Sequence, residues 1–397
     1  MTSVDVIGGV YGERCAFPHW DEIYGSAGRA AAALSGHVGE IKLHTVLPDK
    51  EANRIRPIFD SFSVDVIHHQ SKGLVGFEYL HCLSNPSIYP SPATIDKSPA
   101  FEVEADVAVL FGMMECSPRV SARVCVYDPQ SPSDPKGFRE AGGAAERLAF
   151  VANSGELKRL VGEGGAAGAQ MLLEQEAAEL VLVKQGLDGA LVVGPDGVIG
   201  QVPAYETSSV FTIGSGDVFV AAFTLAWGIQ GCSPLEAAEY ASQAAAAYVE
   251  TAALPIVSAD VAAKSERRPV RLKGGTVYLA GPFRELGQRA LINEARTIMQ
   301  QLGMTVFSPV HDIGHGPAEE VVAKDLEAIR DCDALFAILN GSSPGTLFEV
   351  GYSVRGEQPV YCVAQNMREA DLKLPYGSGC NVFPDFVTAL HHLAWRK

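Results

Sequence analysis

Short β-branched runs alternate with alanine-rich runs from one end of the chain to the other. VDVIGGV, VAVLFGM, RVCVYD, RLAFVAN and LVLVKQG read as strands, while GSAGRAAAALSG and AGAQMLLEQEAAEL read as helices. That alternation confines the chain to α/β layers around a mainly parallel sheet. One stretch departs from it: ALVVGPDGVIGQVPAY sets two strands about a Pro-Asp-Gly turn, which predicts a hairpin. The series is interrupted once, by the basic KSERRPVRLKGG of Lys264 to Gly275. A linker there divides the 397 residues into a first domain over 1–262, a linker over 263–275 and a second domain over 276–397.

A net charge of −16 argues against a bulk nucleic-acid or membrane-surface binder, but leaves small anionic substrates open. The eight cysteines form no CxxC pair and no Cys/His ligand spacing, and read as reduced thiols of a cytoplasmic protein. MTSVDVIGGV enters a strand directly, and the most apolar stretch is broken by glycines and an aspartate. Neither a signal peptide nor a membrane span is expected.

Chemistry first surfaces at TIGSGDVFVAAF, Thr212 to Phe223. Asp217 alone reads as a carboxylate capping a helix. Gly214 and Gly216 add something a cap does not need: free backbone N–H groups at a helix N-terminus, which suit an anion. An aspartate beside an anion site suits phosphoryl transfer. The stretch resembles the glycine-rich signature of the ribokinase-like (pfkB) carbohydrate and nucleoside kinases, and other pieces over roughly 1–258 follow in that family's order. VANSGE supplies Asn153 and Glu156, VYDPQSP supplies Asp128, and LVLVKQGLDGALV supplies Gly186 and Gly189. By itself the Asn153–Glu156 pair also reads as a capping box.

The resemblance implies a ribokinase-like α/β/α domain with Asp217 as base and Gly214, Ser215 and Gly216 as anion hole. Gly186 and Gly189 would border the ATP site, and Asn153 and Glu156 would act through Mg²⁺ and its waters. The acceptor end departs from the family. Glu13 is the nearest substitute for its sugar-gripping aspartate, Ala30 stands near its asparagine, and Phe211 replaces the aspartate that opens the glycine motif.

In the second domain, VYLAGPFRE places Tyr278 and a glycine turn at a strand's C-terminal end, where α/β sites form. Glu349 follows Gly345 by four residues in GTLFEVGY. It reads either as an ordinary helix-dipole carboxylate or, flanked by Gly345, Phe348 and Gly351 in a tight apolar place, as a nucleophile for a sugar carbon. YLAGPF, DLEAIRDCDALFAIL and GTLFEVGY together resemble the nucleoside 2-deoxyribosyltransferase family, which includes nucleoside 5′-monophosphate N-glycosidases, from Thr276 to about Gln365.

That resemblance implies a smaller Rossmann-like (flavodoxin-like) α/β domain in which Glu349 attacks C1′. Tyr278 would orient Glu349, and Asp325 would contact sugar hydroxyls or assist base departure, with Asp333 as a turn residue. Ser343 stands where transferases of free nucleosides carry an aspartate. A serine can donate to a 5′-phosphate that a carboxylate would repel. With Arg284 and Gly345 it forms the expected phosphate site. His311, His315 and Asp312 in SPVHDIGHG suit a loop or base-contacting role better than zinc.

Joined, the two domains predict a bifunctional nucleoside-processing enzyme: an ATP- and Mg²⁺-dependent kinase coupled to N-glycosidic cleavage of a nucleoside monophosphate. The alternatives are a deoxyribosyltransferase fused to an independent sugar kinase, and a nucleotide sensor with one or both sites inactive. The expected partners are small nucleosides and nucleotides rather than nucleic acid or membrane. The resemblance implies a homo-oligomer.

Overall fold

The computed structural model describes residues 3–131, 133–314 and 316–396. It divides into two compact units, Met1–Val270 and Arg271–Lys397. In the first, nine strands form one sheet in the order Gly197–Val202, Ala190–Gly194, Leu180–Lys184, Gly143–Asn153, Arg119–Asp128, Glu102–Phe111, Ser3–Ile7, Glu40–Leu47, Val64–Gln70. Ladders from Leu180–Lys184 to Val64–Gln70 are parallel; the two remaining edge strands are the antiparallel hairpin that the Pro-Asp-Gly turn predicts.

The three strands at the centre change character along their length. The first halves of Glu102–Phe111, Arg119–Asp128 and Gly143–Asn153 alternate in burial, and their second halves are buried on both faces. The outward face of the first halves carries cross-strand pairs such as Arg123–Asp106, 2.6 Å. Residues 112–118 join two of these parallel strands without a helix, although such crossovers usually contain one.

A second sheet of four short strands runs Trp20–Ile23, Gly12–Cys15, Gly76–Tyr79, Ser87–Tyr89.

The second unit has five parallel strands in the order Thr305–Phe307, Thr276–Ala280, Ala334–Ile338, Val360–Val363, Asn381–Phe383. In chain order this is 2-1-3-4-5, the flavodoxin-like doubly wound arrangement. The order reverses between Thr276–Ala280 and Ala334–Ile338, and a ligand crevice is expected at their carboxyl ends. Asp333 accepts from the Thr276 N–H at 2.7 Å and so fixes the start of the first of these strands.

Much of the linker segment is hydrogen-bonded rather than loose. Within the first unit, the Val270 N–H donates to the Ala204 carbonyl and the Arg268 carbonyl accepts from Glu206; within the second, the Lys273 N–H donates to Ala394. All eight cysteines are free thiols, seven of them buried. Among the described residues no helix is long and apolar enough to cross a membrane.

Candidate active sites

In the second unit, the Thr276–Ala280 strand delivers Tyr278 to the switch point, wholly buried and stacked on Phe307 at 5.6 Å. Its hydroxyl donates to Glu349 Oε1 at 2.8 Å. Glu349 reaches the same place from the Pro344–Arg355 helix, which follows the Ala334–Ile338 strand. Burial pushes its carboxyl up to about 7; the Tyr278 bond opposes the shift and Asp325 adds to it.

Asp325 comes from the Ala318–Asp331 helix; burial raises its carboxyl too, with Tyr278 opposing the rise. Its Oδ1 is buried with no hydrogen-bond partner. Burial, together with the two carboxylates, holds the Tyr278 phenol far above its ordinary range, so it remains a donor.

Glu349 opens onto a cleft of about 60 Å³ lined also by Leu279, Gly281, Phe283, Ser343 and Gly345. Ser343 is the N-cap of the Glu349 helix, yet its side chain caps nothing, and Pro344 occupies the first turn. The hydroxyl and the positive end of the helix are therefore both available to an anion. A Cβ on Gly345 would meet only Ser343 Oγ, at 3.9 Å, so the glycine keeps this approach open.

In the first unit, Gly214 takes a left-handed conformation (φ 82°) as N-cap of the Ser215–Phe223 helix. The Ser215 N–H donates to Thr212 at 3.1 Å and is spent on the turn, which leaves the orphan N–H groups of Gly216 and Asp217 for an anion. Lys184 Nζ stands 3.3 Å from where a Cβ on Gly216 would lie, and it pairs with the buried Asp128. A lysine over a glycine turn at a helix N-terminus fits phosphate groups.

Asp217 is buried and held on both oxygens. Arg29 Nη1 donates to Oδ2 at 2.8 Å, and Gln130 Nε2 donates to Oδ1 at 3.0 Å. Gln130 is itself fixed by Ser26, 2.7 Å, and by Asp128.

Two family models match the chain. The pfkB family carbohydrate kinase model covers residues 104–255, and the nucleoside 2-deoxyribosyltransferase model covers residues 277–384. The chain joins a pfkB domain to a nucleoside 2-deoxyribosyltransferase domain. Solved structures similar to it include a ribokinase from Thermotoga maritima, at 18% identity and TM-score 0.49, covering 66% of this chain and 96% of that one. A fructokinase from Vibrio cholerae O395, solved with fructose, ADP and calcium, is 15% identical at TM-score 0.47, with 63% and 94% covered. An aminoimidazole riboside kinase from Salmonella enterica is 18% identical at TM-score 0.43, with 63% and 94% covered. No curated protein matches the sequence.

In the deoxyribosyltransferase domain, Glu349, Ser343 and Gly345 line one cleft, with Tyr278 bonded to Glu349 and Asp325 beside that pair, whereas Arg284 is exposed and lies outside the lining. The apolar wall predicted from Phe348 is absent. Phe348 is 61% exposed, and the desolvation of Glu349 accompanies the buried Tyr278 beneath it. His311 is held between Ser308 Oγ and Asn293 Oδ1, at 3.0 and 2.9 Å. His315 lies outside the described residues.

In the pfkB domain, Asn153 and Glu156 form both bonds of a capping box on the Ser154–Val161 helix. Glu156 also faces Asp128 and Lys184, and burial with Asp128 raises its carboxyl to about 7. Among the described residues no group of three or more His, Cys, Asp or Glu is placed to hold a metal ion. Gly189 is required by the fold itself, since a Cβ there would overlap the Val202 carbonyl; Gly186 is exposed and faces open space. Arg29, Gln130 and Lys184 were absent from the sequence expectation, and Glu13 turns out to be bound to Arg29.

Proposed function

We propose a bifunctional enzyme in which the deoxyribosyltransferase domain cleaves the N-glycosidic bond of a nucleoside 5′-monophosphate and the pfkB domain phosphorylates a nucleoside or sugar from ATP. The observation that carries the first half is the Tyr278–Glu349 hydrogen bond at 2.8 Å beside the raised carboxyl of Asp325. A phenol has one proton to give. Given to Glu349, it aims that carboxylate at the sugar carbon, while Asp325 would supply the proton for the leaving base.

In the reaction, Glu349 forms a bond to C1′ as the C1′–N bond breaks, and the departing base nitrogen takes the proton of Asp325. Water then attacks C1′, releases Glu349 and returns a proton to Asp325, leaving a sugar 5-phosphate. Ser343 and the open helix end supply the phosphate contact.

In the pfkB domain, Gly216, Asp217 and Lys184 would border the phosphates, Glu156 would contact hydrated magnesium, and Asp217 would take the acceptor proton. Bound MgATP supplies the transferable phosphoryl group. The supporting features are the Lys184 ammonium over Gly216 and the first helical turn it faces.

Mass spectrometry of products from the full chain tests the coupling. Base should leave a nucleoside monophosphate far faster than the free nucleoside, and ATP should accelerate release from the free nucleoside. Ser343→Asp should slow monophosphate cleavage roughly 10-fold or more through like-charge repulsion and narrow the preference. Equal rates for nucleoside and monophosphate in the unmodified protein would replace this reading with a free-nucleoside transferase.

A further inference from the structure

A buried guanidinium is costly unless its donors are met. Arg29 is 1% exposed, in a helix, Gly25–Leu34, that contains no acidic residue. Its partners come from three other places. Glu13, on the Gly12–Cys15 strand of the small sheet, accepts from both terminal nitrogens. Asp217 accepts from Nη1, and the Tyr248 hydroxyl accepts from Nε at 3.0 Å. That hydroxyl donates onward to the carbonyl of Ile213, immediately before the glycine turn, at 3.0 Å. The Tyr24 and Tyr248 rings lie 5.7 and 6.0 Å from the guanidinium. A Cβ on Gly214 would fall inside it, so the arginine is built into the turn that carries Asp217.

We propose that Arg29 is a positioning residue for Asp217, and that Glu13 of the small sheet sets the strength of its hold. The inference rests on the kinase reading of this domain. A guanidinium facing one carboxylate draws it toward a weakly basic state, and a second carboxylate on the same guanidinium offsets that pull. Glu13 belongs to the small sheet and Asp217 to the helix after the main sheet. The two elements thereby meet on one guanidinium.

The groups around Asp217 agree. Burial raises its carboxyl, Arg29 opposes the rise, and Glu13 and Asp128 reinforce it; Lys184, Tyr79 and Tyr248 also face it.

The test is the titration of Asp217 itself, followed by carbon NMR in the full chain labelled at aspartate carboxyls, with the signal assigned by its loss in Asp217→Asn. Glu13→Gln should lower the midpoint and Arg29→Gln should raise it. The double variant should return toward the starting value. Its kcat for ATP-dependent phosphoryl transfer should nevertheless stay depressed, roughly 10²-fold, because the carboxylate is no longer held. Shifts in the same direction, or no shift in Glu13→Gln, overturn the proposal. Glu13→Gln is nearly isosteric and decides the matter alone should Arg29→Gln fail to fold by circular dichroism. Opposite shifts in a protein that phosphorylates nothing across nucleosides and pentoses would uphold the coupling and remove the kinase reading instead.

Discussion

Asp217 and Glu349 occupy similar places. Each lies in the opening turns of a helix that follows a glycine-bearing turn, and burial raises the carboxyl of each. Their partners differ. Asp217 has a cationic donor on one oxygen and an amide on the other, whereas Glu349 accepts one bond from a neutral phenol and faces a second carboxyl with an unpartnered oxygen. A carboxylate bonded on both sides is fixed in place and can take up a proton without moving. One left underbonded keeps a free lone pair for carbon. On the proposed reading, similar scaffolding prepares a base in one domain and a nucleophile in the other, and the neighbours decide which.

The most severe way to break this comparison is Glu349→Ala. Base release from nucleoside monophosphates should fall at least roughly 10³-fold while ATP-dependent phosphorylation is unchanged. A covalent sugar adduct found on any other residue by mass spectrometry would end the assignment. Asp217→Asn should do the reverse, costing at least roughly 10²-fold in phosphoryl transfer with ATP binding kept; turnover at the original rate would show that the base lies elsewhere.

Tyr278→Phe probes how underbonded Glu349 is. Losing the phenol removes the bond that opposes its raised carboxyl, so the acid limb of the pH–rate profile should move above about 7. At neutral pH the rate should drop roughly 10-fold. An unmoved limb would mean that the hydrogen bond does not set the nucleophile's charge.

The smallest effect is on stability. Glu349 holds its proton more tightly folded than unfolded, so its contribution is whole below the unfolded value and is lost as pH rises through about 7. Glu349→Gln should therefore raise Tm more at pH 8 than at pH 5. Equal gains at both would contradict a desolvated carboxyl.

Much of the deoxyribosyltransferase site was legible because its residues stand in local motifs: Tyr278 ends a strand, and Ser343, Gly345 and Glu349 fall within two turns of one helix. The pfkB site was legible only in its local half. Gly214 to Asp217 announce themselves, but Arg29 reads as a surface arginine in an alanine-rich helix, and its partners Glu13, Asp217 and Tyr248 lie 16, 188 and 219 residues away. One signal was present: an arginine in a helix otherwise built of small and apolar residues, with no acid a turn away, must find its counter-charge elsewhere. Phe348 misled for the opposite reason. Apolar identity beside Glu349 suggested a wall, and helical geometry turns that side chain outward.

The seat of Arg29 against Gly214 also has a historical consequence. Any side chain at 214 would occupy the space the guanidinium fills, so the two positions cannot drift separately. A lineage that acquires arginine at 29 is bound to glycine at 214 for as long as it keeps that arginine. A descendant carrying alanine or serine at 214 should have lost the arginine first, and with it the need for a glutamate at 13. Three positions scattered across the first 214 residues would then change as one character in a family tree.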